Sequence, residues 1–214
     1  MCGRFALSRA SSELAPLFGV EVLGEGLPEP SQDIRPSQPI AVVLESAKTA
    51  PARRLEAARW GLVPAFRKSL RDGPTPFNAR VEKLLTSGMY RQAAVRRRAI
   101  VPADAFFEWR KADKAKFRVE RADGRPLALA GLYEWWRRPD APEDDQARWL
   151  LSATIVTRPP QGRMAAIHDR QPLYLADDLW DAWLDPAEQA AAELVAAAMA
   201  GSAAVAEQLV FTVE

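Results

Sequence analysis

The sequence predicts an α+β fold with mostly antiparallel strand pairing. Three observations carry that reading. Short β-prone apolar runs bounded by turn residues recur along the chain, helical periodicity is confined to a few segments, and the two never alternate in the βαβ rhythm of a parallel sheet. At 214 residues the chain can build one sizeable core, so a single domain over residues 1–214 is expected.

Ser11 and Ser12 followed by Glu13 mark a helix start, with Leu14, Leu17 and Phe18 as its apolar face and Gly19 as its stop. The proline-rich residues 27–39 read as an irregular loop, and the apolar run 40–44 as a buried strand. Residues 53–63 form a further strand ending at Pro64. Val81, Leu84 and Leu85 have helical spacing, which places Asn78 at the amino-terminal cap of a helix over 78–85. Short strands follow at 99–101 and 106–109. Residues 117–120 and 127–135, separated by Asp123-Gly124, read as a hairpin, and 149–157 as a strong strand. Asp185, Pro186 and Glu188 announce a last helix that runs through the alanine-rich segment to a stop at Gly201.

Composition excludes several function classes. The chain is 48% hydrophobic and 27% charged with no apolar run long enough to span a membrane. Residues 1–20 carry Arg4, Arg9 and Glu13 and lack a signal-peptide core, so a cytoplasmic or nucleoid-associated setting is expected. Its single cysteine and single histidine cannot supply a Cys/His zinc site, and no internal disulfide is possible. No cofactor or metal is expected. A net charge of +1 rules out a bulk polycation, so nucleic-acid contact has to be local. Arg67, Lys68 and Arg71, then Arg91 with Arg96, Arg97 and Arg98, are candidate patches, with a solvated face as the plain alternative.

Cys2 is the lone cysteine and directly follows Met1. Once Met1 is removed, it carries an α-amine and a thiol on neighbouring carbons, which together trap an aldehyde as a five-membered thiazolidine. The bland reading is a small buried hydrophobe. Asn78 either caps its helix or orients the Cys2 amine while Arg80 meets a phosphate. Glu108, set between Phe107 and Trp109, holds a proton at neutral pH if buried, or lies on the solvent face of an edge strand. His168, followed by Asp169 and Arg170, is a proton-transfer group or a satisfied core residue.

Five segments in order, Met1-Cys2-Gly3-Arg4-Phe5, Trp60-Gly61-Leu62-Val63-Pro64, Asn78-Ala79-Arg80, Phe107-Glu108-Trp109 and Ile167-His168-Asp169-Arg170-Gln171-Pro172, resemble the SOS response-associated peptidase (SRAP) family. Its members protect single-stranded DNA by cross-linking themselves to abasic sites. The resemblance runs from residue 1 to about 185 and implies a barrel-like sheet core with a few flanking helices. It casts Cys2 as the nucleophile, Asn78 as its positioner, Glu108 as acid and base, and His168 as an aid to sugar ring opening. It further places Arg4, Pro36, Trp60, Phe66, Arg80, Trp109, Thr157 and Arg170 at the DNA, in a protein expected to be a monomer and to bind single-stranded DNA containing abasic sites.

Three positions depart from the family pattern. Phe66 stands where tryptophan is frequent, Asp33 stands where asparagine is usual, and the chain ends at Glu214 where relatives continue, so the last strand is expected to be missing or short. Two other readings share parts of this pattern. An amino-terminal-nucleophile glutamine amidotransferase also exposes a cysteine but leaves Glu108 and His168 without a role. A non-covalent single-stranded DNA-binding module would need only the arginines and tryptophans.

Overall fold

The computed structural model describes residues 2–47, 52–145 and 148–214; Met1, whose loss the Cys2 chemistry requires, lies outside them. In chain order these form β1 (Phe5–Leu7), α1 (Ser11–Phe18), β2 (Val22–Leu23), β3 (Ser31–Ile34), β4 (Pro39–Leu44), β5 (Arg54–Trp60), β6 (Asn78–Arg80), α2 (Arg91–Arg96), β7 (Arg98–Ala103), β8 (Ala105–Trp109), β9 (Lys116–Arg121), β10 (Leu127–Arg137), β11 (Trp149–Arg158), β12 (Gln171–Pro172), α3 (Trp180–Leu184), α4 (Ala191–Glu207) and β13 (Leu209–Val213).

Five strands close a barrel. β11, β10, β7, β4 and β5 pair in that order, and β5 returns to β11. The closing seam is parallel, with Ser152 opposite Arg59 and Ala153 opposite Trp60; the other seams are antiparallel. β2 extends β5, while β6 and β12 attach to β11. A second sheet runs β13, β9, β8, β1, β3, and β1 packs against β7 of the barrel. The fold is therefore α+β with a barrel core. β4 is buried from Ile40 to Leu44, the behaviour of an apolar run covered on both faces. Gly61 ends β5 at φ +135, and a Cβ there would meet the Arg59 guanidinium and the Thr75 carbonyl.

Several elements differ from the expectation. Asn78 caps no helix: it opens β6, which pairs in parallel with β11, and only a short 3-10 turn follows at Val81–Lys83. The helical spacing of Val81 and Leu84 is real, but both side chains serve the core from that turn. The proline-rich residues 27–39 are not wholly irregular, because Ser31–Ile34 form β3, which pairs with β1. β9 and β10 reverse direction around Gly124 without forming a hairpin. β9 is flanked by β8 and β13, and β10 by β7 and β11, so the turn passes the chain from one sheet to the other. A turn fixes only the reversal; apolar burial chooses the partner.

The last helix begins at Ala191, not Pro186, and continues through Gly201. Arg98 explains the delay. Only 2% exposed, its guanidinium donates to the carbonyls of Asp185 at 2.5 Å and Glu188 at 3.0 Å, and so holds this stretch outside the helix. Of the two readings of the chain's end, a missing strand or a short variant, the first is set aside: β13 pairs along β9 from Leu209↔Arg121 to Val213↔Phe117. The arginine triplet has three separate fates: Arg96 is exposed, Arg97 pairs with Glu134 at 2.7 Å, and Arg98 is interior. Arg67 is also largely buried, donating to the Gly73 and Pro74 carbonyls.

Candidate active site at the amino terminus

β1 is an internal strand, and that placement fixes the chain end. It pairs antiparallel with β8 through Phe5↔Phe106 and Ala6↔Ala105, and the Phe107 amide donates to the Arg4 carbonyl at 2.9 Å. Extending this register toward the amino terminus brings Gly3 opposite Glu108. Cys2 lies next to it, fully buried in the core. From the barrel side, β11 carries β6 through Ile155↔Asn78, and the Asn78 Nδ2 donates to the Cys2 carbonyl at 2.9 Å. Asn78 Oδ1 is buried and takes no hydrogen bond from a described residue.

Glu108 is 3% exposed. β8 lies between β1 and β9, and Phe106 on the same face is buried too, so the solvent-face alternative is excluded. Burial disfavours the carboxylate and raises its pKa to about 7, against the opposing charge of the chain's amino terminus. The same burial, helped by the Glu108 charge, pushes the Cys2 thiol far above its usual range. The resting sulfur is a neutral thiol, so thiol addition needs a base beside it.

His168 follows the 3-10 turn at Gly162–Ala166 and precedes β12. Its Nδ1 accepts from the Arg170 amide at 3.1 Å and lies 2.9 Å from the Asp169 carboxylate. Burial holds the ring below its ordinary pKa, so it is neutral near pH 7. This loop is tied to the end of β8: the Lys111 amide donates to the Ile167 carbonyl at 3.3 Å, and Lys111 Nζ meets Asp169 at 2.8 Å. Asp169 in turn contributes to raising the Glu108 pKa. The four sequence-derived residues thus converge from four elements.

The surface residues divide. Arg80 is exposed, Arg4, Pro36 and Trp109 are half-buried, and Phe66 is 72% exposed. Trp60 offers no stacking surface: it is fully buried, donates Nε1 to the Phe77 carbonyl at 2.8 Å, and packs edge-on against Phe5 and Phe77. Thr157 is likewise interior, 3.5 Å from the Ala79 carbonyl. Arg170 is engaged within the protein, bonded to both Glu82 oxygens at 2.6 and 2.9 Å and to the Thr157 carbonyl at 2.7 Å. The aromatic and threonine of the motifs serve packing, and the arginine locks the His168 loop onto the turn after β6. Glu82 was missed in the sequence, because its partner is 88 residues away and no local pattern couples them.

Among the described residues, no group of three or more His, Cys, Asp and Glu side chains is placed to hold a metal ion, and no helix is long and apolar enough to cross a membrane.

The proton linkage of Glu108 has a measurable sign. Its folded pKa of about 7 exceeds the ordinary 4.5, so between those values the folded state binds more protons and stability falls as pH rises. Above about 7 both states are ionised and the penalty is constant. Urea unfolding of wild type minus Glu108→Gln should therefore decline from pH 4.5 to 7 and then level; a difference that is flat or rises over that window would show that the carboxyl is not held protonated.

Comparison with known proteins places this arrangement. The chain is 35% identical over 190 residues to the abasic site processing protein YoqW of Bacillus subtilis, an alignment covering 87% of this chain and 81% of that one. It is 30% identical over 190 residues to the abasic site processing protein YedK of Escherichia coli, covering 86% and 79%. A crystal structure of a Bacteroides thetaiotaomicron protein superposes with a TM-score of 0.81 at 19% identity, over 99% of this chain and 91% of that one, a likeness of fold. The family model described as SOS response associated peptidase (SRAP) matches residues 1–212. With a cysteine behind Met1 held by a strand-borne asparagine beside a buried glutamate, the chain belongs to the SOS response associated peptidase family.

Proposed function

We propose that the protein processes abasic sites in single-stranded DNA by bonding to them through Cys2. The observation that carries this reading is the Asn78 amide bonded to the Cys2 carbonyl at 2.9 Å, on the side of a thiol whose pKa also responds to Glu108. Loss of Met1, proposed as self-processing, makes the Cys2 amine the chain terminus, and Asn78 Oδ1 is then the acceptor that orients it.

In the first step the amine adds to C1′ of the ring-opened sugar, and water leaves to give an imine. The imine is formed protonated, and the Cys2 sulfur then adds to its carbon as the thiol proton is taken up, so that the thiazolidine closes with a neutral ring nitrogen. Glu108, poised near pH 7, donates a proton to the departing water and accepts one from the thiol. His168, neutral near pH 7, donates a proton to the ring oxygen as the C1′–O4′ bond breaks and recovers one from the C1′ hydroxyl as the aldehyde forms. Arg4 and Arg80 meet phosphates, while Phe66, Trp109 and Pro36 flank the strand. An abasic sugar needs no base to be flipped, so a strand held by its backbone already presents it.

The test is incubation with an abasic single-stranded oligonucleotide followed by denaturing electrophoresis. A shifted, heat-tolerant species is expected; its absence with protein whose Met1 removal is verified by intact mass would overturn the reading. Asn78→Ala should slow adduct formation by about 10- to 100-fold through misplacement of the nucleophile, with affinity for undamaged strand unchanged. A rate within twofold of wild type would remove Asn78 from its role.

A further inference from the structure

Asp33 is carried to Arg4 by the pairing of β3 with β1, in which Ile34 faces Phe5. Its Oδ1 accepts from Arg4 Nε at 2.5 Å, while Arg35 donates Nε to both carboxylate oxygens at 3.1 Å and Nη2 to Oδ2 at 2.7 Å. The two guanidinium groups hold the carboxyl well below the usual range, so it stays ionised. The Arg4 guanidinium carbon lies 5.8 Å from the Trp109 ring and 6.0 Å from Phe107, next to the strand that supplies Glu108. With Arg4 26% and Asp33 39% exposed, solvent and a DNA phosphate can reach the pair.

One carboxylate therefore occupies an anion position of Arg4, two residues from Cys2, and the three-residue cluster carries a net charge of +1 where two unopposed arginines would carry +2. A phosphate arriving at Arg4 has to displace Asp33 or share the guanidinium with it. We infer that Asp33 is a positioning residue that keeps the grip on undamaged single strands weak and short-lived. Such strands bind through phosphates and flanking contacts with no covalent bond, so compensating Arg4 speeds their release. A strand with an open sugar is held by the bond to Cys2, which the Asp33 charge does not loosen. The inference rests on the reading of Arg4 as a phosphate contact given above.

The experiment is fluorescence anisotropy with an undamaged single-stranded oligonucleotide over a series of salt concentrations, using wild type, Asp33→Asn and Asp123→Asn. Asp123 pairs with Arg121 at 2.5 Å at the end of β9 away from Glu108, so its variant controls for net charge alone. Asp33→Asn should bind about three- to tenfold more tightly at low salt, dissociate more slowly, and steepen the salt dependence by about 0.7 in log–log slope, the increment of one phosphate contact on a single strand. Asp123→Asn should match wild type. Equal or weaker binding by Asp33→Asn, parallel salt lines, or an equal gain in Asp123→Asn would overturn the inference. Cross-linking of wild type to an abasic strand is scored separately: its absence removes the covalent reading, whereas the anisotropy comparison decides the role of Asp33 alone.

Discussion

Replacing Cys2 with serine should reduce the heat-tolerant adduct to background while leaving the fold intact. Serine preserves the α-amine, so the imine to C1′ can still form. Its hydroxyl is a much weaker nucleophile than sulfur and does not close a ring that survives denaturation. Borohydride added during the reaction should reduce that imine and restore a band for Cys2→Ser, which separates amine attack from thiol closure. Cys2→Ser cross-linking as well as wild type without reductant would sink the thiazolidine assignment. The substitution is small, but Cys2 is wholly interior, so a thermal melt should accompany it to show that the loss is chemical.

The second large effect is on stability. Arg98→Met should destabilise the protein by at least about 3 kcal/mol, because five carbonyls, two of them in fully buried bonds, lose their donor together. The guanidinium reaches Trp183 at 2.6 Å, Ala94 at 2.9 Å, Val95 at 2.5 Å, Asp185 at 2.5 Å and Glu188 at 3.0 Å. It thereby joins the end of α2, the end of α3 and the approach to α4 at one point. Arg98→Lys should recover only part of the loss, since an ammonium with three donors cannot span these acceptors. Urea unfolding measures both; a cost below about 1 kcal/mol for Arg98→Met would mean that water replaces the guanidinium at the helix ends.

The candidate grouping was legible because the chemistry it proposes is written in residue types. A cysteine behind Met1, a carboxylate between aromatics and a lone histidine each have few alternative uses, and Glu108 lies in the burial that its neighbours Phe107 and Trp109 suggested. Strands with dense apolar content, β4 and β11 among them, were equally visible. Long-range pairing was hidden. Asn78 has a residue type suited to a helix cap, yet β11 recruits it from 77 positions along the chain, Ile155 facing Asn78. Trp60 stands in a motif beside the site and still belongs to the core, because motif membership does not distinguish packing from contact. β13 could have been read from the alternation Leu209-Val210-Phe211-Thr212-Val213, in which Leu209 is buried and Val210 is not.

The central position of β1 also sets a schedule for biosynthesis. Its two neighbours are β3 and, about 100 residues later, β8. At roughly 5 to 20 residues per second of synthesis, a nascent chain therefore carries Cys2 behind Met1 for on the order of 5 to 20 s before the strand bearing Glu108 exists, and longer before His168 is made. Because the amino terminus cannot be seated until both flanking strands have been translated, the ribosome delivers Cys2 first and its surroundings last.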